Sequence, residues 1–380
     1  SYPPVQEAEV DKVLAEEIRD NEKKIVVLDD DPTGVQTVHD ISVYTNWEKA
    51  SIEQGFAEEN KLFYILTNSR GFTAAQTEKA HKEIAEVVDQ VAKETGKEYL
   101  FISRSDSTLR GHYPLETTIL KDEYEKNTGK KIDGEVLCPF FKEGGRFTID
   151  DVHYVQYDDT LVPAAETEFA KDKTFGYTVS NLKEYVEEKT QGAYKKENVT
   201  AISLENIREL NYDKIEEQLL AVEDFNKVIV NAIDYVDVKI FCVALFRAMK
   251  KGKNFMFRTA AAIVKVMGGV SDQPLLTREQ MVVKETDHGG IIVVGSHTDK
   301  TTRQMEKLRE NKDIAFVELN ATLVNDEAAF AEEVERCLAL EEEYISSGKS
   351  VCVYTTRALI TADTGDKEDD LRLSVRISDA

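Results

Sequence analysis

Three carboxylates in a row, Asp29-Asp30-Asp31, follow the apolar run Ile25-Val26-Val27-Leu28 and precede Pro32-Thr33-Gly34. Adjacent acids repel one another, so a site that keeps them uses them to coordinate Mg2+, to accept hydrogen bonds from ligand hydroxyls, or as a base. The plainer alternative is an Asp-Pro turn capping a helix. A second string, Ser103-Arg104-Ser105-Asp106-Ser107-Thr108-Leu109-Arg110-Gly111-His112, packs two arginines, one carboxylate, four hydroxyls and a histidine into ten residues. Arginine forks match a carboxylate or phosphate, while Asp and Ser side chains hold the hydroxyls of a polyol. Arg70, in Thr67-Asn68-Ser69-Arg70-Gly71, adds another fork. A capped helix start with solvated arginines is the bland counterpart. Cys138-Pro139-Phe140-Phe141-Lys142-Glu143-Gly144-Gly145-Arg146 offers two more cations, which an ordinary exposed loop explains equally well. His153, Tyr154 and the run from Glu166 to Asp172 line a cleft or a solvated face; His39 and His81 read as structural or surface residues. None of the six histidines has metal-ligand spacing with another.

The elements that must position these residues alternate strand and helix. Ile25 to Leu28, Leu62 to Leu66, Tyr99 to Ile102, Val136 to Leu137, Thr200 to Leu204 and Lys227 to Asn231 read as buried strands. Helical periodicity between them predicts a mostly parallel sheet with flanking helices, whose ligands collect beyond the carboxyl ends of the strands. Thr73 to Thr95 reads as a helix with Thr73 as its cap and Gly96 as its stop, and Val238 to Lys250 as another ended by Gly252. The polar stretch Ser271 to Gly290 reads as a connector. It divides the chain into 1–275, a connector at 276–289, and a second, smaller α/β domain at 290–380. There Gly290-Ile291-Ile292-Val293-Val294-Gly295-Ser296 reads as a strand opening into a turn, followed by a helix from Thr301 to Lys312. Such a turn offers backbone N–H groups to a phosphate. An acidic helix from Phe330 to Ser346 and a strand from Val351 to Thr356 follow. Ser378 reads as the cap of a further helix, so the second domain is expected to be incomplete.

The chain has 380 residues, 41% of them hydrophobic, enough for packed cores. A formal charge of -24 argues against nucleic-acid or anionic-membrane partners. No apolar stretch spans a bilayer, and Val5 to Ile18 is acidic and amphipathic rather than signal-like, so the expectation is a cytoplasmic protein. Cys138, Cys242, Cys337 and Cys352 fit neither a disulfide framework nor a zinc site and should be buried thiols.

Asp30-Asp31-Pro32-Thr33-Gly34, Ser105-Asp106-Ser107-Thr108-Leu109-Arg110-Gly111, Thr167-Glu168-Phe169-Ala170-Lys171-Asp172 and Gly295-Ser296 together resemble the four-carbon acid sugar kinase family, over roughly residues 24 to 380. That resemblance implies a two-domain kinase moving the γ-phosphoryl group of ATP, with Mg2+, to the 4-hydroxyl of a threonate, erythronate or 3-oxo-tetronate. It implies a sugar-acid site from Asp30, Asp31, Arg70, Arg104, Ser105, Asp106, Ser107 and Arg110. Asp106 would be the base, with Asp31 second, and Ser296 would lie against ATP. A homodimer is compatible with it. Two glycine-rich phosphate loops of the family are not found here, nor is a Walker-type loop. Two other readings stay open. Asp29-x-Asp31-x-Thr33 fits the nucleophile and acid/base pair of a haloacid-dehalogenase-like phosphatase, which also needs a later acidic pair on a strand end; Gly365-Asp366 to Asp370 has the letters but no apolar strand before it. A non-catalytic sugar-acid sensor is the third.

Overall fold

The computed structural model of the chain describes residues 2–282, 284, 286–362 and 364–380. Val283 and Glu285, inside the expected connector, lie outside the described residues. The strands in chain order are β1 (Lys24–Asp29), β2 (Val43–Tyr44), β3 (Leu62–Leu66), β4 (Tyr99–Arg104), β5 (Gly134–Cys138), β6 (Arg146–Ile149) and β7 (Val152–Tyr157). They continue with β8 (Thr160–Pro163), β9 (Thr200–Ile202), β10 (Asn226–Val230), β11 (Phe255–Thr259), β12 (Ile291–Val294), β13 (Ile314–Leu319) and β14 (Ser350–Thr355). The chain separates into two compact units, Ser1–Gln273 and Pro274–Ala380.

The first unit is an α/β layer structure around an eight-stranded sheet in the order β2-β3-β1-β4-β11-β5-β10-β9, every pairing parallel. All six residues of β1 and of β4 are buried, as continuous apolar runs covered on both faces should be. Helices Glu7–Asp20, Tyr212–Leu220, Tyr235–Lys250 and Ala261–Gly268 enclose one face. Lys49–Ala57, Ala74–Thr95 and Leu115–Thr128 enclose the other. Ala74–Thr95 starts at a capping box between Thr73 and Gln76 and ends where Gly96 turns left-handed at φ 67°. The helix expected from Val238 begins at Tyr235 and is buried on nearly every side, because the N-terminal helix covers its outer face. From β1 the chain first builds leftward to β2 and β3, then crosses to β4. The β1–β4 pair is therefore the switch point at which such sheets open a crevice.

The sequence reading missed β11, the strand between β4 and β5, and a small antiparallel sheet, β6-β7-β8, inserted after β5. In β11 an arginine interrupts a short apolar run, Phe255-Met256-Phe257-Arg258-Thr259, which hides the strand.

The second unit is a smaller three-stranded parallel sheet, β12-β14-β13, with helices Asp299–Leu308, Glu327–Ser346 and Lys367–Ser378. Its core gathers Val317, Leu319, Val324, Phe330, Val351 and Leu373. Ser378 does not cap a helix start. It closes the helix Lys367–Ser378, whose cap is Asp366, because an acidic first turn suits the positive end of a helix. The four cysteines are buried and unpaired. Among the described residues no helix is long and apolar enough to cross a membrane.

Candidate active site

Parallel register sets Asp29 level with Leu66 on one side and Arg104 on the other, so the segments after β1, β3 and β4 emerge together. Asp29 itself is 1% exposed and held by the Arg104 guanidinium, which also donates to the carbonyls of Asp31 (2.8 Å) and Ser105 (3.1 Å). Burial pushes the Asp29 carboxyl up to about 7, against the pull of Arg104. A Cβ added at Gly34 would stand 2.1 Å from Asp29 Oδ2, so only glycine lets the Asp-Pro turn close over this pair. Arg104 and Asp29 thus form the floor of the site. Asp29 is not displayed as a phosphatase nucleophile must be, and Asp366 to Asp370 begin a helix rather than ending a strand.

Above that floor the Arg70 fork spans both remaining acids, donating to Asp30 Oδ1 (2.7 Å) and Asp31 Oδ2 (2.9 Å). Burial works to raise the Asp31 carboxyl, but Arg70 and the Thr33 hydroxyl and amide outweigh it and hold the group below its ordinary value. Arg70 is aimed by the turn Ser69–Gly71, whose lead-in Thr67 donates to the Asp29 carbonyl at 2.9 Å. The Ser105 hydroxyl reaches the Asp30 carboxylate and the Arg110 carbonyl. Asp106 accepts from Arg110 Nε at 2.6 Å and from the Thr108 hydroxyl. Burial would raise its carboxyl, yet Arg110 and Arg70 keep it far below the usual carboxylate range.

The Ser105–Arg110 loop is tied down through its carbonyls. Ser107 O accepts from His153 (2.7 Å), Thr108 O from the Tyr177 hydroxyl (2.8 Å), Leu109 O from the Tyr185 hydroxyl (2.8 Å) and Arg110 O from Arg258 (3.0 Å). A carbonyl only accepts, so His153 carries its proton on Nε2 and takes the Thr148 hydroxyl at Nδ1, 3.0 Å away. Burial pushes the His153 ring down to about 4, so it is neutral near pH 7. The cost of the arrangement shows at Leu109, a non-glycine residue at φ 69°.

Beneath lies a second buried pair. Glu116, 1% exposed, accepts from Arg258 (2.6 Å), from Ser69 (2.6 Å) beside Arg70, and from Ser103 (3.4 Å), with His81 at 3.8 Å. One carboxylate therefore joins the turn after β3 to β4 and β11 themselves. Sequence reasoning missed Glu116, Arg258, Tyr177 and Tyr185. The one legible signal was a charge inside an apolar run, at Arg258.

Of the expected residues, Asp30, Asp31, Arg70, Ser105, Asp106, Ser107 and Arg110 lie around one mouth, and Arg104 lies below it. Ser296 belongs to the second unit, exposed after β12. Its hydroxyl, with those of Thr298 and Thr301, forms a hydrogen-bonded ring at 3.1 to 3.2 Å before the helix Asp299–Leu308. Arg357 donates to Thr302 of that helix at 2.9 Å, and among the described residues its buried Nε and Nη1 find no hydrogen-bond partner. Hydroxyls, a helix N-terminus and an unspent guanidinium suit a phosphate. Among the described residues no three His, Cys, Asp or Glu side chains are placed to hold a metal, and Arg70 already neutralises Asp30 and Asp31.

A parallel-sheet domain whose polar strand ends gather at its switch point, followed by a small α/β domain, makes this a two-domain α/β protein. The family model described as sugar-binding N-terminal domain matches residues 25–267, and that described as nucleotide-binding C-terminal domain matches residues 291–380. The chain belongs to the four-carbon acid sugar kinase family, whose architecture joins these two domains. No curated protein matches it in sequence. A solved protein of Salmonella typhimurium LT2, provisionally described as a tRNA synthase, shares its fold at 14% identity and TM-score 0.54, over 94% of this chain and 80% of that one. A domain of unknown function from Bordetella bronchiseptica, solved as a domain-swapped dimer with bound citrate, aligns at 17% identity and TM-score 0.46 over 93% and 80%. A Haemophilus influenzae protein of the same domain of unknown function aligns at 17% identity and TM-score 0.47 over 87% and 74%.

Proposed function

We propose that this chain is a kinase that moves the γ-phosphoryl group of ATP to the 4-hydroxyl of a four-carbon sugar acid of the threonate, erythronate or 3-oxo-tetronate class. The observation that carries the reading is the cluster at the strand ends: Asp31 and Asp106, with side chains 24% and 10% exposed, pair with the guanidiniums of Arg70 and Arg110 beside Ser107, within the domain matched as sugar-binding. Acids and hydroxyls of this kind bind a polyol, and guanidiniums bind its charge.

Bound ATP supplies the phosphoryl group; Ser296, Thr298, Thr301 and Arg357 are the residues suited to hold its phosphates. The sugar-acid domain contributes orientation and proton handling. Asp106, kept ionised by Arg110, accepts the hydrogen bond and then the proton of the reacting hydroxyl, with Asp31 as the second candidate. The rigid loop keeps that hydroxyl in a single direction, which is where positioning contributes most to phosphoryl transfer.

The test is titration with a panel of four-carbon sugar acids and then Mg-ATP, beside a coupled assay of ADP release. Acid-dependent ADP release supports the kinase. Acid binding without nucleotide binding overturns it in favour of a sensor, and no acid binding at all removes the sugar-acid assignment. The soluble cytoplasmic setting and a homodimer stay part of this proposal; sedimentation of the purified chain decides the second.

A further inference from the structure

Arg104, Arg258, Arg70 and Arg110 each have a carboxylate partner at the strand ends: Asp29, Glu116, the pair Asp30 and Asp31, and Asp106 respectively. Arg146 has none. Among the described residues its side chain makes no ion pair, its Nε is buried without an acceptor, and its only side-chain hydrogen bond is from Nη1 to the Gly144 carbonyl. Its position is nevertheless built. Phe141 and Arg146 exchange both backbone hydrogen bonds, at 3.0 and 2.8 Å, around a turn that Gly145 closes at φ 72°. The guanidinium carbon lies 5.6 Å from the centroid of the Phe169 ring, and that of Arg110 lies 5.0 Å from the same ring. Two like charges on one aromatic ring, one with a buried N–H unspent, make a place for an anion.

We infer that Arg146, together with Arg110, binds the carboxylate of the substrate against Phe169 and makes the site select acids over neutral polyols. This rests on the sugar-acid reading above. It assigns the charged end to the wall formed by the β5–β6 turn and the segment Glu168–Lys171, and leaves Asp31, Asp106 and Ser107 for the hydroxyls. Burial lowers the Arg146 guanidinium from its ordinary value, against the opposing pull of the Asp106 and Glu168 carboxylates, while it stays charged.

Wild type and Arg146→Gln are titrated with threonate, erythronate and the corresponding neutral amides, with thermal unfolding measured on both proteins. The wild type should prefer acid over amide by more than ~10-fold, and Arg146→Gln should weaken acid binding by ~30-fold or more and abolish that preference, as loss of a charge-assisted fork does. An unchanged acid affinity, or an acid-to-amide ratio that survives the substitution, overturns the inference. Should the glutamine variant fail to fold, Arg146→Lys keeps the charge without the planar fork and is expected to weaken acid binding by ~10-fold; wild-type affinity there overturns it as well. A wild type that binds no sugar acid defeats the proposed substrate class instead, and the two failures are thereby told apart.

Discussion

At the scale of single residues, the arginines divide the labour. Arg104 and Arg258 hold buried carboxylates in the scaffold, while Arg70 and Arg110 pair the more exposed Asp31 and Asp106. Asp106→Asn keeps the shape but removes the carboxylate; kcat should fall ~100-fold or more with KM changed little, read by steady-state ADP release. A loss confined to KM would make Asp106 a binding group only. Glu116→Gln removes the charge that Arg258 faces in a buried place. Denaturant unfolding should show a loss of about 3 kcal/mol, because an uncompensated buried cation costs more than the pair contributed. Wild-type stability would mean that the Ser69 and Ser103 hydroxyls suffice.

At the scale of elements, the strands that carry the candidate residues were readable and the devices that hold those residues in place were not. Strings such as Asp29-Asp30-Asp31 and Ser105-Asp106-Ser107 stand out because they interrupt apolar strands, and β1, β3 and β4 fall where periodicity puts them. Tyr177, Tyr185 and His153 reach their carbonyls from 69, 76 and 46 residues away, a pairing no local pattern records. The edges of helices shifted for a related reason: Asp299–Leu308 begins at the Thr298 cap, not at the first apolar spacing. The N-terminal helix Glu7–Asp20 docks through Val10 and Leu14, with Lys239, Arg247 and Lys250 of the buried helix pairing Glu7, Asp11, Glu17 and Asp20 along its length. Such partly exposed pairs contribute little each, so apolar contact should dominate. Leu14→Ala is expected to cost about 2 to 4 kcal/mol in thermal or denaturant unfolding, whereas Lys250→Ala should stay within about 0.5 kcal/mol. Equal effects would mean that the ion-pair row docks the helix.

At the scale of the whole molecule, charge and pH act together. Under the proposed function, a sugar acid would approach a chain of net charge -24, so capture would fall to the local guanidiniums rather than the long-range field. In the unfolded chain the His153 ring takes its proton near pH 6.5, whereas in the fold burial holds it back to about 4. Its contribution is present above the unfolded value and is lost as pH falls toward 4, on the order of 3 kcal/mol in all. Asp29, pushed up to about 7, acts in the opposite sense, its contribution being lost as pH rises from the ordinary carboxylate value. The comparison that isolates the histidine is wild type against His153→Asn. Their difference in unfolding free energy should narrow by about 3 kcal/mol between pH 7.5 and pH 4.5, and a constant difference would show that the ring titrates normally.

The four fastened carbonyls of Ser107 to Arg110 also bear on how this protein can change over evolutionary time. Under the proposed function, a loop so fastened would not reshape itself around a new epimer, and a mirror-placed hydroxyl would meet fixed atoms and be refused. New preferences would then arise less by altering the loop's own letters than by moving its fasteners, the histidine, two tyrosines and arginine that come from distant stretches of chain. Lineages with nearly identical binding strings could in this way prefer different stereoisomers, with the deciding substitutions out of sight of the ligand.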